Sequence, residues 1–273
     1  MISVNTNQGA MVALQTLNRT NSEMDKTQNA IATGLKVASA KDNGALFAIA
    51  NKMRSDVSAY DRVRESADRA ASILDTGIAA GESIMELLNE MKGKALAGSQ
   101  AGNSTSAQAA LAADFVQLRD QIASVIANAS FDGANMINAT PSAAVSLGDA
   151  AGGNTISIAG ANLSTGSTII TTIASVLTDA TTSTAALTAT NNSITALGTQ
   201  LATWGAGARR LDVHRTFVGK LQDALNNGIG SIVDADLAKE SAKLQALQVK
   251  QQLGVQALSI ANGSSQTALS LFR

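Results

Sequence analysis

The chain has 273 residues, a formal net charge of −1 and no cysteine. This balance gives no electrostatic reason to expect nucleic acid or an anionic membrane as a partner, and the lack of cysteine excludes disulfides, thiolate chemistry and cysteine-ligated metals. Aromatic residues make up only 3% of the chain, which favours close-packed helices over a thick globular core. No segment is apolar enough to predict membrane insertion. No cleavable signal peptide is predicted either, because the first positive charge is Arg19 and no apolar stretch follows it.

Both ends of the chain lack charge. Residues 1–18 and 251–272 carry no ionic side chain, and Arg273 closes the sequence. Chain termini are normally polar enough to tolerate water. We therefore expect these ends to be buried against something other than the rest of their own chain.

A long helix is predicted over residues 5–36, where apolar side chains repeat every seven residues. One line of the repeat is Ala10, Leu17, Met24 and Ile31, and the adjacent line is Leu14, Asn21, Gln28 and Leu35. An apolar period of 3.5 residues favours a coiled coil, although an ordinary amphipathic helix shares most of the pattern. Gly34 interrupts the repeat, and residues 41–44 are typical of a turn.

A second, longer helix is predicted from Ala45 to Ala97. Its heptad line includes Leu46, Met53, Tyr60, Leu74 and Leu88. At about 1.5 Å per residue this helix would be roughly 75 Å long, which predicts an elongated molecule.

The middle of the chain has one more predicted helix, followed by a segment of different composition. A third helix is predicted from a cap at Ser104 or Thr105 to Asn128. Residues 130–182 are richer in glycine and β-branched residues, which predicts a small β-hairpin region between residues 131 and 163. Isoleucines at helical spacing predict a short helix around residues 169–177, followed by a loop at 179–184.

The most regular repeat follows. Six residues stand seven apart, namely Leu197, Trp204, Leu211, Val218, Leu225 and Ile232. Such a repeat predicts a coiled-coil partner. The glycines between residues 226 and 230 predict the end of this helix, and Asp234 or Asp236 is a candidate cap for a final helix. Together the elements predict a mainly α fold, in which an antiparallel helical rod formed from both chain ends carries the small β-hairpin region at its tip.

Four motifs resemble those of bacterial flagellins. They are residues 32–44 followed by 48–50, residues 131–138, residues 232–236 and residues 269–273. The resemblance covers about residues 1–140 and 195–273. One departure is Trp204-Gly205, which stands where the family usually has arginine and leucine.

The resemblance implies a structural subunit of the flagellar filament, exported through the flagellar apparatus and polymerised at the distal tip. It also implies a terminal coiled-coil domain (residues 1–40 and 236–273), known as D0, and a rod domain (41–235), known as D1. Implied partners are other copies of the chain, hook-associated and cap proteins, the export apparatus and an export chaperone on the C-terminal helix. No cofactor is implied. The predicted polymerisation residues are Leu14, Leu17, Met24, Ile31, Leu35, Leu244, Leu247, Leu253, Leu258, Leu271 and Phe272. The predicted rod core is formed by Leu46, Met53, Tyr60, Leu74, Leu88, Leu197, Trp204, Leu211, Val218, Leu225 and Ile232.

The residues give little support to the hypothesis that the protein is an enzyme. His214 is the only histidine, so no pair of histidines can ligate a metal. Asp234 and Asp236 are more readily explained as helix caps than as an acid–base pair, and Asp114 and Asp120 lie six residues apart, on different sides of a helix. Two non-enzymatic alternatives stay open: a hook–filament junction protein and a coiled-coil signalling or adaptor protein.

Overall fold

The computed structural model describes residues 7–171 and 177–270, with side chains described as far as Gly263. Its elements in chain order are α1 (Gln8–Thr33), α2 (Gly44–Gly98), α3 (Thr105–Asn128), β1 (Ala144–Leu147), β2 (Thr155–Ile158), α4 (Ala180–Val233) and α5 (Leu237–Ser270). The described chain is therefore mainly α-helical with a small two-stranded sheet, which confirms the predicted fold class.

The first helix starts at a polar cap and stops at a glycine. Asn7 Oδ1 accepts a hydrogen bond of 3.1 Å from the backbone N–H three residues later, which satisfies one of the free donors of the first turn. Gly34 has a φ of 72°, a left-handed conformation that costs glycine little. The helix therefore ends at Thr33 rather than at residue 36 as predicted. Leu35 lies outside it and pairs with Asp234 in an isolated β-bridge.

Two further helices begin directly after a capping side chain, of which Ser104 was predicted and Asn43 was not. Asn43 Oδ1 accepts the Leu46 N–H at 3.1 Å, and α2 begins beside it at Gly44. Ser104 Oγ accepts the Ala107 N–H at 3.2 Å and caps α3. In both cases a side-chain oxygen immediately before an apolar-periodic segment satisfies a donor that the helix leaves unpaired.

The predicted hairpin is present. β1 and β2 pair antiparallel, with Ala144 opposite Ile158. Asp149 holds the connecting turn, because its carboxylate accepts the Gly153 N–H at 3.0 Å and the Asn154 N–H at 3.1 Å. Burial alternates along both strands, as expected for a sheet with one face against the core.

The fourth helix begins earlier than predicted. It starts at Ala180, inside the loop predicted for residues 179–184, because Asp179 Oδ1 accepts the Thr182 N–H at 2.8 Å and caps the first turn. Residues 163–171 form turns and bends instead of the short helix predicted there, and residues 172–176 of that prediction lie outside the described residues.

The same helix also ends later than predicted, at Val233. A Cβ atom on Gly228 would lie 2.8 Å from the Met53 Cε atom, so this glycine makes room for a neighbouring side chain and does not stop the helix. Of the two candidate caps that follow, Asp236 performs the role for α5. Its Oδ1 atom accepts the N–H groups of Ala238 at 3.0 Å and Lys239 at 3.1 Å.

The Asp179 cap makes the start of α4 sensitive to acid. Hydrogen bonds from the Thr182 backbone N–H, and then from its hydroxyl, hold the pKa of Asp179 below its ordinary value. A carboxyl group with a lowered folded pKa contributes stability above its unfolded pKa and loses it as the pH falls through the folded pKa.

We therefore expect Asp179→Asn to melt at a lower temperature than the wild type near neutral pH, with the difference shrinking below about pH 4. Asparagine keeps an acceptor oxygen but cannot titrate. Melting curves recorded by circular dichroism from about pH 6 to about pH 2 measure the difference. A difference that stayed constant through this range would contradict the role given to the carboxylate.

The chain divides into two compact units. The first unit comprises residues 1–55 and 223–273, and the second comprises residues 56–222. The divisions fall inside α2 and α4, whereas the sequence predicts boundaries near residues 40 and 235. Every described helix falls short of the apolar length that a membrane span requires.

Candidate assembly interface

In the first unit, α1 and α5 pair in antiparallel fashion. Asn7 Nδ2 donates a 2.7 Å hydrogen bond to the Ala261 carbonyl, near the start of α1. Further along, Gln251 Nε2 donates to Asn21 Oδ1 at 2.8 Å. Between these contacts, Leu17 packs beside Gly254, which makes the close approach of the helices possible.

The contact between these helices is thin and partly polar. Within the described residues, the buried side chains of α1 are Thr20 and Thr27, and Leu247 is buried in α5. The Thr20 hydroxyl donates to the carbonyl of Thr16 at 3.0 Å, but the buried Thr27 hydroxyl has no hydrogen-bond partner among the residues that the structure describes. An unsatisfied buried polar group costs about 1–3 kcal/mol, so this contact stabilises the pair only weakly.

The two lines of the predicted seam differ in burial. Leu17, Met24 and Ile31 are half-buried, and the companion line beside them contains Thr20 and Thr27. The companion line predicted through Leu14 and Gln28 holds only in part: these two side chains are exposed, whereas Asn21 is half-buried and accepts the hydrogen bond from Gln251 of α5. The apolar period alone could not identify the seam, since threonine also fits a close contact.

The predicted polymerisation residues therefore occupy several environments. Leu247 is buried; Leu17, Met24, Ile31, Leu35, Leu244 and Leu258 are half-buried; Leu14 and Leu253 are exposed; and Leu271 and Phe272 lie outside the described residues.

Further exposed apolar side chains lie on these two helices, outside the set of predicted polymerisation residues. Met11, Val12, Val249, Val255 and Ile260 are 55–68% exposed. The one sequence signal for them was the absence of charge near both chain ends, because an exposed helix face normally carries charged residues. Several exposed apolar side chains on one pair of helices are typical of a surface that another protein covers.

The predicted rod residues lie inside the protein. Leu74, Leu88, Leu197, Trp204, Leu211 and Val218 are buried, whereas Leu46, Met53, Tyr60, Leu225 and Ile232 are half-buried. Their heptad spacing thus serves packing within the chain itself.

The structure gives the unusual tryptophan a role. Trp204 is fully buried, and its Nε1–H group donates a 3.0 Å hydrogen bond to the carbonyl of Ala159, beside the hairpin. A Cβ atom on Gly81 would lie 3.6 Å from the Trp204 ring and 2.8 Å from Leu201, so the glycine in α2 admits these large side chains. Trp204 therefore joins α2, α4 and the residue after β2 in one core.

The aspartates considered for catalysis serve as a helix cap, in a backbone pairing or in ion pairs. Asp236 caps α5, and Asp234 pairs through its backbone with the 34–36 segment. Asp114 and Asp120 each form an ion pair with a basic side chain, at 2.6 and 3.0 Å. His214 is half-buried, and its Nε2 atom has no hydrogen-bond partner in the described part of the chain. Among the described residues, no group of three acidic or histidine side chains is placed to hold a metal ion.

Comparison with known proteins agrees with this architecture. Residues 4–142 match the bacterial flagellin N-terminal helical region, and residues 187–272 match the bacterial flagellin C-terminal helical region. Flagellin FljK of Caulobacter vibrioides is 49% identical to the chain, and the alignment covers 99% of this chain and 98% of the relative. A flagellin of Brucella melitensis is 38% identical, and both chains are covered completely.

A solved structure shows the same fold. The crystal structure of Bacillus cereus flagellin superposes with a TM-score of 0.51 and 23% identity, covering 56% of this chain and 88% of that one. The two terminal matches and the relatives aligned along their whole length establish the family. The chain therefore belongs to the bacterial flagellin family and is a structural subunit of the flagellar filament.

Proposed function

We propose that the subunits polymerise through α1 and α5, which pack against the same helices of neighbouring copies in a hollow helical filament used for motility. The observation that carries the proposal is the set of exposed apolar side chains on these two helices, whose own pairing buries little. Repeated contacts that do not close into a ring generate a helical filament.

The energetics favour assembly over the isolated subunit. Burying an exposed leucine, valine or isoleucine contributes about 1.5–3 kcal/mol each, and each copy offers several on α1 and α5. The uncharged sequences of residues 1–18 and 251–272 add no cost of ion desolvation to this burial. Neighbouring copies thus supply the apolar surroundings that the α1–α5 pair lacks by itself.

The same surface suggests the remaining partners. The first unit would be the terminal domain of the family and the second unit the rod domain. Hook-associated and cap proteins would meet α1 and α5 at the filament ends, and an export chaperone would cover α5 before the export apparatus moves the chain out of the cell. The assembled chain would then be extracellular.

Seeded assembly of the purified chain tests the proposal. We expect the full chain to form filaments visible by electron microscopy, and a chain truncated after Ala235 to form none. Leu253→Asn provides a finer test, because Leu253 is 63% exposed and its loss should affect the subunit fold little. We expect its critical concentration to rise about tenfold or more.

Gln256→Asn is the matched control, since it exchanges one exposed polar amide for another in the same helix. It should assemble like the wild type. Filaments from the truncated chain, or equal critical concentrations for Leu253→Asn and the wild type, would show that α5 does not drive polymerisation.

A further inference from the structure

In the second unit, α4 presents an outward face that combines cations with exposed apolar side chains. We call it the basic face, and it comprises Arg209, Arg210, Val213, Phe217 and Lys220. Val213 is 68% exposed and Phe217 is 58% exposed, and both lie on the side of the helix opposite the buried Leu211 and Val218. None of its three cations forms an ion pair with the described residues. An exposed phenylalanine with basic side chains on the same helix face is the composition of an interface anchor.

The outward side of α2 carries the opposite charge. We call it the acidic face, and it comprises Glu82, Glu86, Glu90 and Gly93. The three glutamates are exposed, lie four residues apart and form no ion pair with the described residues. They lie opposite the buried side of the helix, which includes Leu88 and Met91.

Gly93 is unexplained by packing within the chain. A Cβ atom at this position would meet no atom of the described chain within 4 Å, and the residue lies inside a long helix, where glycine is less favourable than almost any other residue. The missing side chain leaves a notch in the helix surface beside Glu86 and Glu90. Such a notch lets a bulky side chain of another molecule approach the backbone closely.

The spacings of the two faces correspond. Arg210 precedes Phe217 by seven residues, as Glu86 precedes Gly93 by seven. Lys220 follows Phe217 by three residues, and Glu90 precedes Gly93 by three. The rise is about 1.5 Å per residue, so equal spacings give equal heights along the two helices. With the Phe217 ring at Gly93, parallel helices bring Arg210 level with Glu86, and antiparallel helices bring Lys220 level with Glu90.

We propose that the basic face of one copy docks on the acidic face of a second copy, with Phe217 seated at Gly93. The inference rests on the proposed polymerisation and adds to it a contact in the second unit, away from the terminal helices. The two faces differ, so the contact is heterologous and is of the kind that extends into a filament. Their opposite charges identify the partner as another copy of this chain and set the register of the contact.

Charge reversal tests the electrostatic part. One variant changes Arg209, Arg210 and Lys220 to glutamate, and another changes Glu82, Glu86 and Glu90 to lysine. In each variant like charges oppose each other, so we expect the critical concentration for seeded assembly to rise about tenfold or more at low salt. A chain carrying both sets of changes restores opposite charges across the contact and should return to within about threefold of the wild type.

Lys92→Glu is the charge control. Lys92 is exposed and lies two residues beyond Glu90, on another side of α2, so its reversal should leave assembly unchanged. Far-ultraviolet circular dichroism of each monomer shows whether the fold is retained. Normal assembly of both reversed variants, or failure of the doubly reversed chain to recover while its monomer stays folded, would overturn the charge pairing.

Gly93→Gln tests the notch. Because glutamine favours helix and its Cβ atom would meet no atom of the described residues within 4 Å, the melting temperature of the monomer should rise by about 2 °C. Assembly should nevertheless weaken about tenfold, since the new side chain fills the seat of Phe217. A stabilised monomer that assembles as well as the wild type would remove Gly93 from the contact.

These outcomes are separable from failure of the proposed function. If the wild-type chain does not polymerise, or polymerises without α5, the role of the terminal helices is wrong. If the wild type polymerises through α5 and the reversed variants match it, only the contact between the basic and acidic faces is wrong.

Discussion

Trp204→Ala is expected to lower the free energy of unfolding by about 3–5 kcal/mol, the usual cost of removing a large buried aromatic side chain. Trp204 is fully buried and packs near Gly81 of α2. Its removal leaves a cavity between the helices and deprives the Ala159 carbonyl of its 3.0 Å hydrogen bond. The hairpin and the two helices therefore lose a shared contact at one point.

Equilibrium unfolding in urea, followed by circular dichroism, measures this loss. Trp204→Phe keeps part of the ring but removes the Nε1 donor, so it should cost less than the alanine variant, about 1–3 kcal/mol. Leu96→Ala is the surface control: Leu96 lies in α2 and is 52% exposed, so its effect should stay within about 0.5 kcal/mol. A Trp204→Ala variant as stable as this control would contradict the packing described.

Gly160→Ala is expected to destabilise the protein by about 2 kcal/mol or more, because the added methyl group would meet backbone. Its Cβ atom would lie 2.6 Å from the Met136 carbonyl oxygen and also collide with the carbonyl oxygen of Ser142. Neither can move freely. The Met136 carbonyl accepts the Ala161 N–H at 2.8 Å, and the Ser142 N–H donates to the Asn135 carbonyl at 2.7 Å.

The control for this substitution is Gly153→Ala in the hairpin turn. A Cβ atom on Gly153 would find its nearest neighbour, Asp149 Oδ2, at 3.9 Å, an ordinary contact. We expect the unfolding free energy of this variant to change by less than about 1 kcal/mol, in the direction of stabilisation. Both variants are compared by urea unfolding under one set of conditions. Equal stability of the two would show that the 136–142 segment can move away from residue 160.

Local chemistry made the helix starts predictable. Ser104 and Asp236 act as caps because a side-chain oxygen can reach the free N–H groups of the next turn, whatever the rest of the fold does. The Asp179 cap is not evident from the sequence because the many serines and threonines around it are also typical of loops. The glycine cluster near Gly228 predicts a helix end because glycine is a weak helix former, but the fold uses Gly228 to admit Met53.

The candidate interface was likewise predictable from the sequence only in part. Uncharged ends and heptad spacing, both readable from the residues, indicated long helices with a surface meant for burial. They could not indicate which side of α1 faces α5, because Thr20 and Thr27 fit the seam where Leu14 does not. The notch at Gly93 likewise became visible only when its surroundings proved empty. Helix caps and heptad spacing involve residues that are close together in the chain, so the sequence alone determines them. The α1–α5 seam, the notch at Gly93 and the buried helix faces depend on residues far apart in the chain, which only the tertiary structure brings together.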